Sequence, residues 1–119
     1  MSKEYQKYQG TESHFQQTVA TYLNQLGVFF YHCPNGGNRN YKEAAKMKRE
    51  GVKAGIPDIC ICEPRGAYHG FYIELKVGYN KPSNKQQEVM DQLKVRGYKV
   101  EWSNSLDEVI DLIDEYLKQ

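Results

Sequence analysis

The chain has 119 residues and a formal net charge of +1, with 39% hydrophobic and 26% charged residues. This length and composition fit one globular domain with one modest core, and they exclude two independently stable domains. The sequence has no run of about eighteen apolar residues, which a membrane span needs, and no signal peptide at its start. We therefore expect a cytoplasmic protein without a membrane partner, with a flexible N-terminal tail over residues 1–10 and one domain over residues 11–119.

The first predicted element is a helix over residues 11–27. Phe15, Val19 and Leu23 recur there at helical spacing, a threonine or serine can cap the start, and Gly27 marks the end. Glu12 shares the face of the apolar residues. Two interpretations of its carboxylate stay open: it points inward, where a site can use it, or it interacts with the macrodipole at the helix N-terminus.

A basic segment follows a predicted strand over residues 28–33 and a loop rich in glycine and asparagine. Glycine-rich backbone suits close approach to a phosphate, although most such loops are only turns. A short helix is predicted over residues 41–50, and residues 39–53 carry six bases against two acids. The bases at positions i, i+4, i+7 and i+11 are Lys42, Lys46, Arg49 and Lys53. This stripe is either a solvated face or a nucleic-acid contact, and its closeness in sequence to Asp58 favours the latter.

A hairpin centred on Gly66 is predicted from two apolar runs joined by turn residues. Symmetry about Gly66 places Asp58 opposite Glu74, with Cβ atoms roughly 5 Å apart. Side chains alternate along a strand, so Glu74 and Lys76 share one face. Two carboxylates this close repel each other unless a cation lies between them, and Mg²⁺ binds one or two protein carboxylates together with water and phosphate. The pattern predicts a divalent-cation site with Lys76 beside it, placed to orient water or stabilise phosphoryl charge.

The rest of the chain completes an α/β pattern. Ser83 and Gln86 have the spacing of a capping box and predict a helix that ends near Gly97. A strand is predicted over residues 98–102, and a last helix begins after Ser105. Gln86 either completes the capping box or reaches a catalytic group, a water or a phosphate. The order of elements predicts a mixed sheet with helices on both sides.

Three cysteines in a chain without a secretory signal make a disulfide framework unexpected. Cys33, Cys60 and Cys62 lack the usual zinc-ligand spacings, so buried small hydrophobic side chains are favoured over a zinc site.

Taken in order, these motifs resemble the VRR-NUC (virus-type replication-repair nuclease) branch of the PD-(D/E)xK superfamily of nucleases. The resemblance extends over about residues 12–117. It rests on an acid in the first helix, the glycine-rich loop, the segment that ends in Pro57-Asp58, the Glu74-Leu75-Lys76 element, and the later serine and glutamine. The acid-x-lysine element alone arises by chance in many chains, whereas the ordered combination is specific. It implies a restriction-endonuclease-like fold, which is an α/β mixed sheet flanked by helices.

The resemblance also implies a DNA endonuclease that depends on Mg²⁺ or Mn²⁺. The metal ligands that it implies are Glu12, Asp58, Glu74 and the backbone carbonyl of Leu75. The implied catalytic residues are Asp58, Glu74, Lys76 and Gln86. The expected DNA-binding residues are Asn35, Gly36, Gly37, Arg39, Lys42, Lys46, Arg49 and Lys53. Such a protein is expected to act as a homodimer on branched DNA such as Holliday junctions. The alternatives are a non-catalytic DNA-binding module of the same fold, and a nuclease for plain duplex DNA or RNA.

Overall fold

A computed structural model describes residues 4–34 and 40–119. The helices and strands follow the predicted order. Their bounds are α1 (Glu12–Leu26), β1 (Phe30–His32), α2 (Tyr41–Arg49), β2 (Ile59–Ile61), β3 (Phe71–Leu75), α3 (Asn84–Val95), β4 (Lys99–Ser103) and α4 (Leu106–Leu117). The strand predicted over residues 28–33 is shorter than expected. Within the described part of the chain, no helix combines the length and the apolar character needed to cross a membrane.

The four strands form one mixed sheet in the order β1-β2-β3-β4. The pairs β1/β2 and β2/β3 are antiparallel, whereas β3 and β4 are parallel. Ile59 pairs with Ile73 and Ile61 pairs with Phe71, which confirms the predicted register about Gly66. Continuing that register by one pair places Asp58 opposite Glu74.

The core lies on one face of the sheet, where α1 and α4 pack against β2 and β3. Strand alternation directs Phe71, Ile73 and Leu75 into this core and turns Tyr72 and Glu74 to the opposite face. Each fully buried large apolar side chain contributes roughly 1.5 to 3 kcal/mol, so this layer fixes the strands that carry the acids. The buried cluster comprises Phe15, Val19, Leu23, Ile59, Ile61, Phe71, Ile73, Leu75, Val109, Ile113 and Tyr116.

Local sequence signals set the helix ends. The Thr11 hydroxyl accepts a hydrogen bond from the His14 N–H at 3.0 Å, so threonine rather than Ser13 caps α1. Gly27 ends α1 in the left-handed region at φ 71°, as glycine at this position predicts. Ser83 caps α3, and both hydrogen bonds of the capping box with Gln86 are present.

The segment before α1 is attached to the domain by two tyrosines. Tyr8 stacks on Phe15 with ring centroids 4.3 Å apart, and its N–H donates to the Asn104 carbonyl at 2.7 Å. The Tyr5 hydroxyl donates to Asp111 Oδ2 at 3.0 Å. Residues 4–10, which we expected to be a loose tail, therefore contact the helical side of the domain.

Candidate active site

Asp58 is fixed between the ends of three strands. It directly precedes β2, and its Oδ2 accepts a hydrogen bond from the N–H of Leu75, the last residue of β3, at 2.8 Å. Its backbone carbonyl accepts from the N–H of Cys33, just after β1, at 2.7 Å. Because both the main chain and the side chain are bonded to neighbouring strands, the sheet itself sets the orientation of this carboxylate.

Glu74 is almost fully buried, at 4% exposure, and two polar groups converge on one of its oxygens. Lys76 Nζ lies 3.3 Å from Glu74 Oε2. Gln86 Nε2 donates to the same oxygen at 3.1 Å. The structure therefore brings Asp58, Glu74, Lys76 and Gln86 together at one end of the two central strands of the sheet.

Gln86 combines the two roles that the sequence left as alternatives. Its Oε1 accepts a hydrogen bond from the Ser83 N–H at 2.8 Å, which closes the capping box. Its Nε2 is then turned toward Glu74 on β3. The start of α3 thus holds the acid of the Glu74-Leu75-Lys76 element in place, and both groups of this carboxamide are already bonded.

The two acids are electrostatically strained. Burial raises the pKa of Glu74 from its usual 4.5 to about 7, and the charge of Asp58 adds to this shift while Lys76 opposes it. Burial also raises the pKa of Asp58, against the effects of the Leu75 N–H and of His32. The charge of Glu12 raises both values. One lysine does not compensate for this concentration of negative charge.

A divalent cation fits this pair of acids. Mg²⁺ needs only one or two protein carboxylates, since water and substrate phosphate fill its other positions. Within residues 4–34 and 40–119, no group of three or more histidine, cysteine, aspartate or glutamate side chains is close enough to hold a metal ion. The predicted ligands Glu12, Asp58 and Glu74 interact electrostatically here. Their binding of a cation together with the Leu75 carbonyl stays a prediction. Glu12 contributes charge from the neighbouring wall.

A cleft of about 260 Å³ opens beside Asp58. The residues that line it include Glu12, Ser13 and Gln16 from α1, His32 from β1, Asp58 just before β2, and Leu75 from β3. Glu12 is exposed, in the first turn of α1 and on the wall of the cleft, so its position suits the macrodipole interpretation, and its use by the site stays a prediction. His32 Nδ1 lies 2.8 Å from the backbone carbonyl oxygen of Asp58. A carbonyl oxygen only accepts hydrogen bonds, so the histidine nitrogen is the donor.

Sequence reasoning missed Gln16 and His32 as residues of this cleft. The signals that point to them are positional: Gln16 follows Glu12 by four residues and so shares its helix face, and His32 ends the strand that pairs with β2. Neither signal distinguishes a site residue from an ordinary polar residue before the packing of α1 is known.

The basic stripe forms an exposed face of α2. Lys42, Lys46 and Arg49 lie within an arc of about 60° on this helix, which has no buried residue. Lys53 lies beyond the helix end, so the helical rhythm does not place it on that face. The predicted DNA-binding residues Asn35, Gly36, Gly37 and Arg39 lie outside the described residues.

Gly55 connects the basic segment to the site. Its φ of 86° favours glycine, and a Cβ there would lie 3.1 Å from the Lys85 carbonyl and 3.2 Å from Val89 Cγ2. The chain between α2 and Asp58 therefore passes directly against the first turns of α3, the helix that carries Gln86. This contact places the segment that follows the basic residues against the helix whose Gln86 bonds to Glu74.

The cysteines are free thiols. Cys60 is buried and its Sγ lies 3.8 Å from Cys62 Sγ. The interpretation as buried hydrophobic side chains is right for Cys60 and wrong for Cys62, which is exposed.

Comparison with known proteins identifies the family. The model of the VRR-NUC domain matches residues 1–106. A solved structure described as a VRR_NUC domain protein is 35% identical over 93% of this chain and 92% of that chain, with a TM-score of 0.75. A second, described as a VRR_NUC domain, is 25% identical over 88% and 96% of the two chains, with a TM-score of 0.62. The comparison with curated proteins gives no match. The chain belongs to the VRR-NUC family, a nuclease-type family whose flanked mixed sheet it shares.

Proposed function

We propose that this protein is an endonuclease that depends on Mg²⁺ or Mn²⁺ and hydrolyses phosphodiester bonds in DNA. The observation that carries the proposal is the meeting of the buried Glu74, the half-buried Asp58 and one lysine, with Lys76 Nζ 3.3 Å from Glu74 and Asp58 bonded to Leu75. Acids whose pKa values are raised, as for Glu74 and Asp58, are typical of catalytic sites when they lie beside a cleft. Membership of a nuclease-type family supports the same chemistry.

Each residue has a distinct task in this proposal. Asp58, Glu74, Glu12 and the Leu75 carbonyl would hold the cation, and Glu12 lies on the wall of the cleft beside Asp58. The bound cation supplies Lewis-acid stabilisation of the charge that develops on the phosphoryl oxygens. The ammonium group of Lys76 holds the attacking water or a phosphoryl oxygen. Gln86 keeps Glu74 in position, since its amide bonds to the carboxylate.

The preferred substrate in this proposal is branched DNA, such as a Holliday junction. The exposed bases of α2 suit phosphate contacts, which position a nucleic acid without reading its sequence. The described residues provide one such cluster of acids in each chain, so symmetric cleavage of two strands requires a twofold homodimer. Light scattering after size-exclusion chromatography measures this directly, and a monomer at assay concentration would contradict the dimer.

Cleavage assays test the proposal with four substrates: a four-way junction, a flap, a plain duplex and RNA, each with Mg²⁺, Mn²⁺ or EDTA. We expect cleavage of branched DNA with either metal and none with EDTA. Asp58→Asn and Lys76→Ala should abolish cleavage while the circular dichroism spectrum stays unchanged. Lys99→Ala is the matched control, because Lys99 makes a 3.8 Å ion pair with Glu101 at the same two-residue spacing on β4.

Three results would change the conclusion. Undiminished cleavage by Asp58→Asn would refute the assigned site. Binding of branched DNA without cleavage in either metal would identify a non-catalytic binding module. Preferred cleavage of plain duplex or RNA would retain the enzyme and replace its substrate.

A further inference from the structure

The carboxamide of Gln16 is buried, and no described residue forms a hydrogen bond with it. Both Nε2 and Oε1 are inaccessible to solvent, and neither has a partner within residues 4–34 and 40–119. Buried polar side chains are nearly always hydrogen-bonded, because a lost bond to water is otherwise not replaced. Because Gln16 also lines the cleft beside Asp58, its carboxamide, unbonded among the described residues, suggests that a ligand bound in the cleft supplies the missing hydrogen bond.

The position of Gln16 points to the substrate of the proposed reaction. It lies on α1 four residues after Glu12, and it lines the cleft that contains Asp58. The start of α3 provides another carboxamide near the acids, that of Gln86, but both of its groups are already bonded, to Ser83 and to Glu74. Gln16 is therefore the carboxamide of this region whose hydrogen-bonding capacity is unused within the described residues.

The chemistry of the cleft favours a phosphate oxygen as that ligand. Glu12 and Asp58 repel an anion, and a phosphodiester has only acceptor oxygens on its phosphorus. A neutral amide N–H provides a donor that a phosphate oxygen can use next to these acids without adding charge to the site. The nearby N-terminus of α1 has the positive end of its dipole on the same side.

We propose that Gln16 is a substrate-binding residue, whose side chain turns from its buried position toward the cleft and donates a hydrogen bond from Nε2 to a non-bridging phosphate oxygen of the nucleic acid. This inference rests on the proposed nuclease function and adds a residue to its substrate contacts. It separates the two glutamines by role: Gln86 positions Glu74, whereas Gln16 contacts the substrate.

Gln16→Met is the decisive variant, because methionine keeps the length of the side chain and removes its polar atoms. We expect the melting temperature of the metal-free protein to rise by roughly 5 °C, since a buried unsatisfied amide is removed. Affinity for a fluorescent four-way junction, measured with Ca²⁺ in place of Mg²⁺, should fall about tenfold or more, as for one hydrogen bond to a charged group. KM should rise with little change in kcat. Gln25→Met, an exposed position on the same helix, should change none of these.

A lower melting temperature in Gln16→Met would show that the amide is a structural hydrogen-bonding group and would overturn the proposal. Unchanged affinity and KM in a variant of an active enzyme would overturn it as well, because a trapped water then satisfies the amide. Gln16→Glu provides an independent reading, since it keeps the shape but replaces the donor with a negative oxygen. Its affinity should fall further than that of Gln16→Met, and wild-type affinity would refute the contact. Absence of cleavage in the wild type would instead refute the nuclease function.

Discussion

Glu74 is the residue at which stability and function conflict. It is buried at 4% exposure opposite another acid, and one lysine and one amide share a single one of its oxygens. In a balanced ion pair one base neutralises one acid, whereas here Lys76 interacts with both Asp58 and Glu74. Unfavourable placement of this kind is common at functional sites, where a ligand compensates for it.

We expect the stability of the metal-free protein to fall as the pH rises from about 4.5 to 7. The pKa of Glu74 is higher in the folded chain, at about 7, than its usual 4.5, so the folded state binds the proton more tightly. This contribution to stability is fully present below pH 4.5 and is lost as the pH rises through about 7. It amounts to at most about 3 kcal/mol, at 1.36 kcal/mol for each pKa unit. Urea unfolding at pH 5, 6, 7 and 8 measures it.

Glu74→Gln is the matched variant for this titration. It removes the ionisable group but keeps the shape, so most of the decrease between pH 5 and 8 should disappear. Glu101→Gln, on the neighbouring strand, should retain the decrease. A wild-type protein that becomes more stable over this range would contradict the electrostatic account of the acids.

A divalent cation should stabilise the protein more at pH 8 than at pH 5. At the higher pH Glu74 is ionised and available as a ligand, whereas at pH 5 it is mostly protonated. A cation at 100 times its dissociation constant adds about 2.7 kcal/mol to the free energy of unfolding. The measurement is the melting temperature at each pH, first without metal and then at Mg²⁺ or Mn²⁺ concentrations that increase in tenfold steps. Asp58→Asn should abolish the shift, and an equal shift at both pH values would place the cation elsewhere.

The elements show why much of the site follows from sequence. Symmetry about Gly66 gave the register of β2 and β3 and hence the pairing of Asp58 with Glu74, because side chains on paired strands can lie on only one of two faces. Ser83 and Gly27 set helix ends through local hydrogen bonds and backbone conformation. These features depend on residues a few positions apart, or on one tight hairpin.

Gln16 and His32 were not predictable in the same way. Their roles depend on how α1 lies across the end of the sheet, which brings residues far apart in sequence to one cleft. Helical periodicity places Gln16 on a side of α1 but does not show that both of its amide atoms are buried without a partner among the residues that the structure describes. Lys53 shows a different error. Its spacing in the sequence predicts a place on the same helix face as Lys42, Lys46 and Arg49, but α2 ends at Arg49.

The junction between α3 and β3 permits a test that separates helix capping from catalysis. Ser83→Ala removes the cap of α3 and should lower the free energy of unfolding by about 1 kcal/mol. Gln86→Met removes the capping-box partner and also the 3.1 Å contact with Glu74. We expect similar losses of stability in the two variants but a much larger loss of kcat in Gln86→Met. Equal kcat values would show that Gln86 serves α3 alone.

Over the length of the chain, charge is distributed unevenly although the net charge is only +1. Residues 39–53 carry six bases and two acids, whereas residues 101–119 carry six acids and one base. A polyanion approaching such a molecule is attracted to α2 and repelled by α4. Because the segment after α2 passes against α3 at Gly55, we expect this field to direct the proposed DNA substrate toward the end of the sheet that holds the acids.

Replacing Lys42, Lys46 and Arg49 together by alanine should therefore weaken binding without impairing the chemical step. Each neutralised phosphate contributes about 0.9 to the slope of log K against log salt, so loss of three contacts should reduce that slope by roughly 2 to 3. Fluorescence anisotropy with a labelled junction between 50 and 200 mM salt measures the slope, and kcat at saturating DNA should stay near the wild-type value. The matched control replaces three exposed bases outside α2, which are Lys94, Arg96 and Lys118. It removes the same charge, so an equal loss of slope in the control would mean that net charge, rather than the face of α2, binds the DNA.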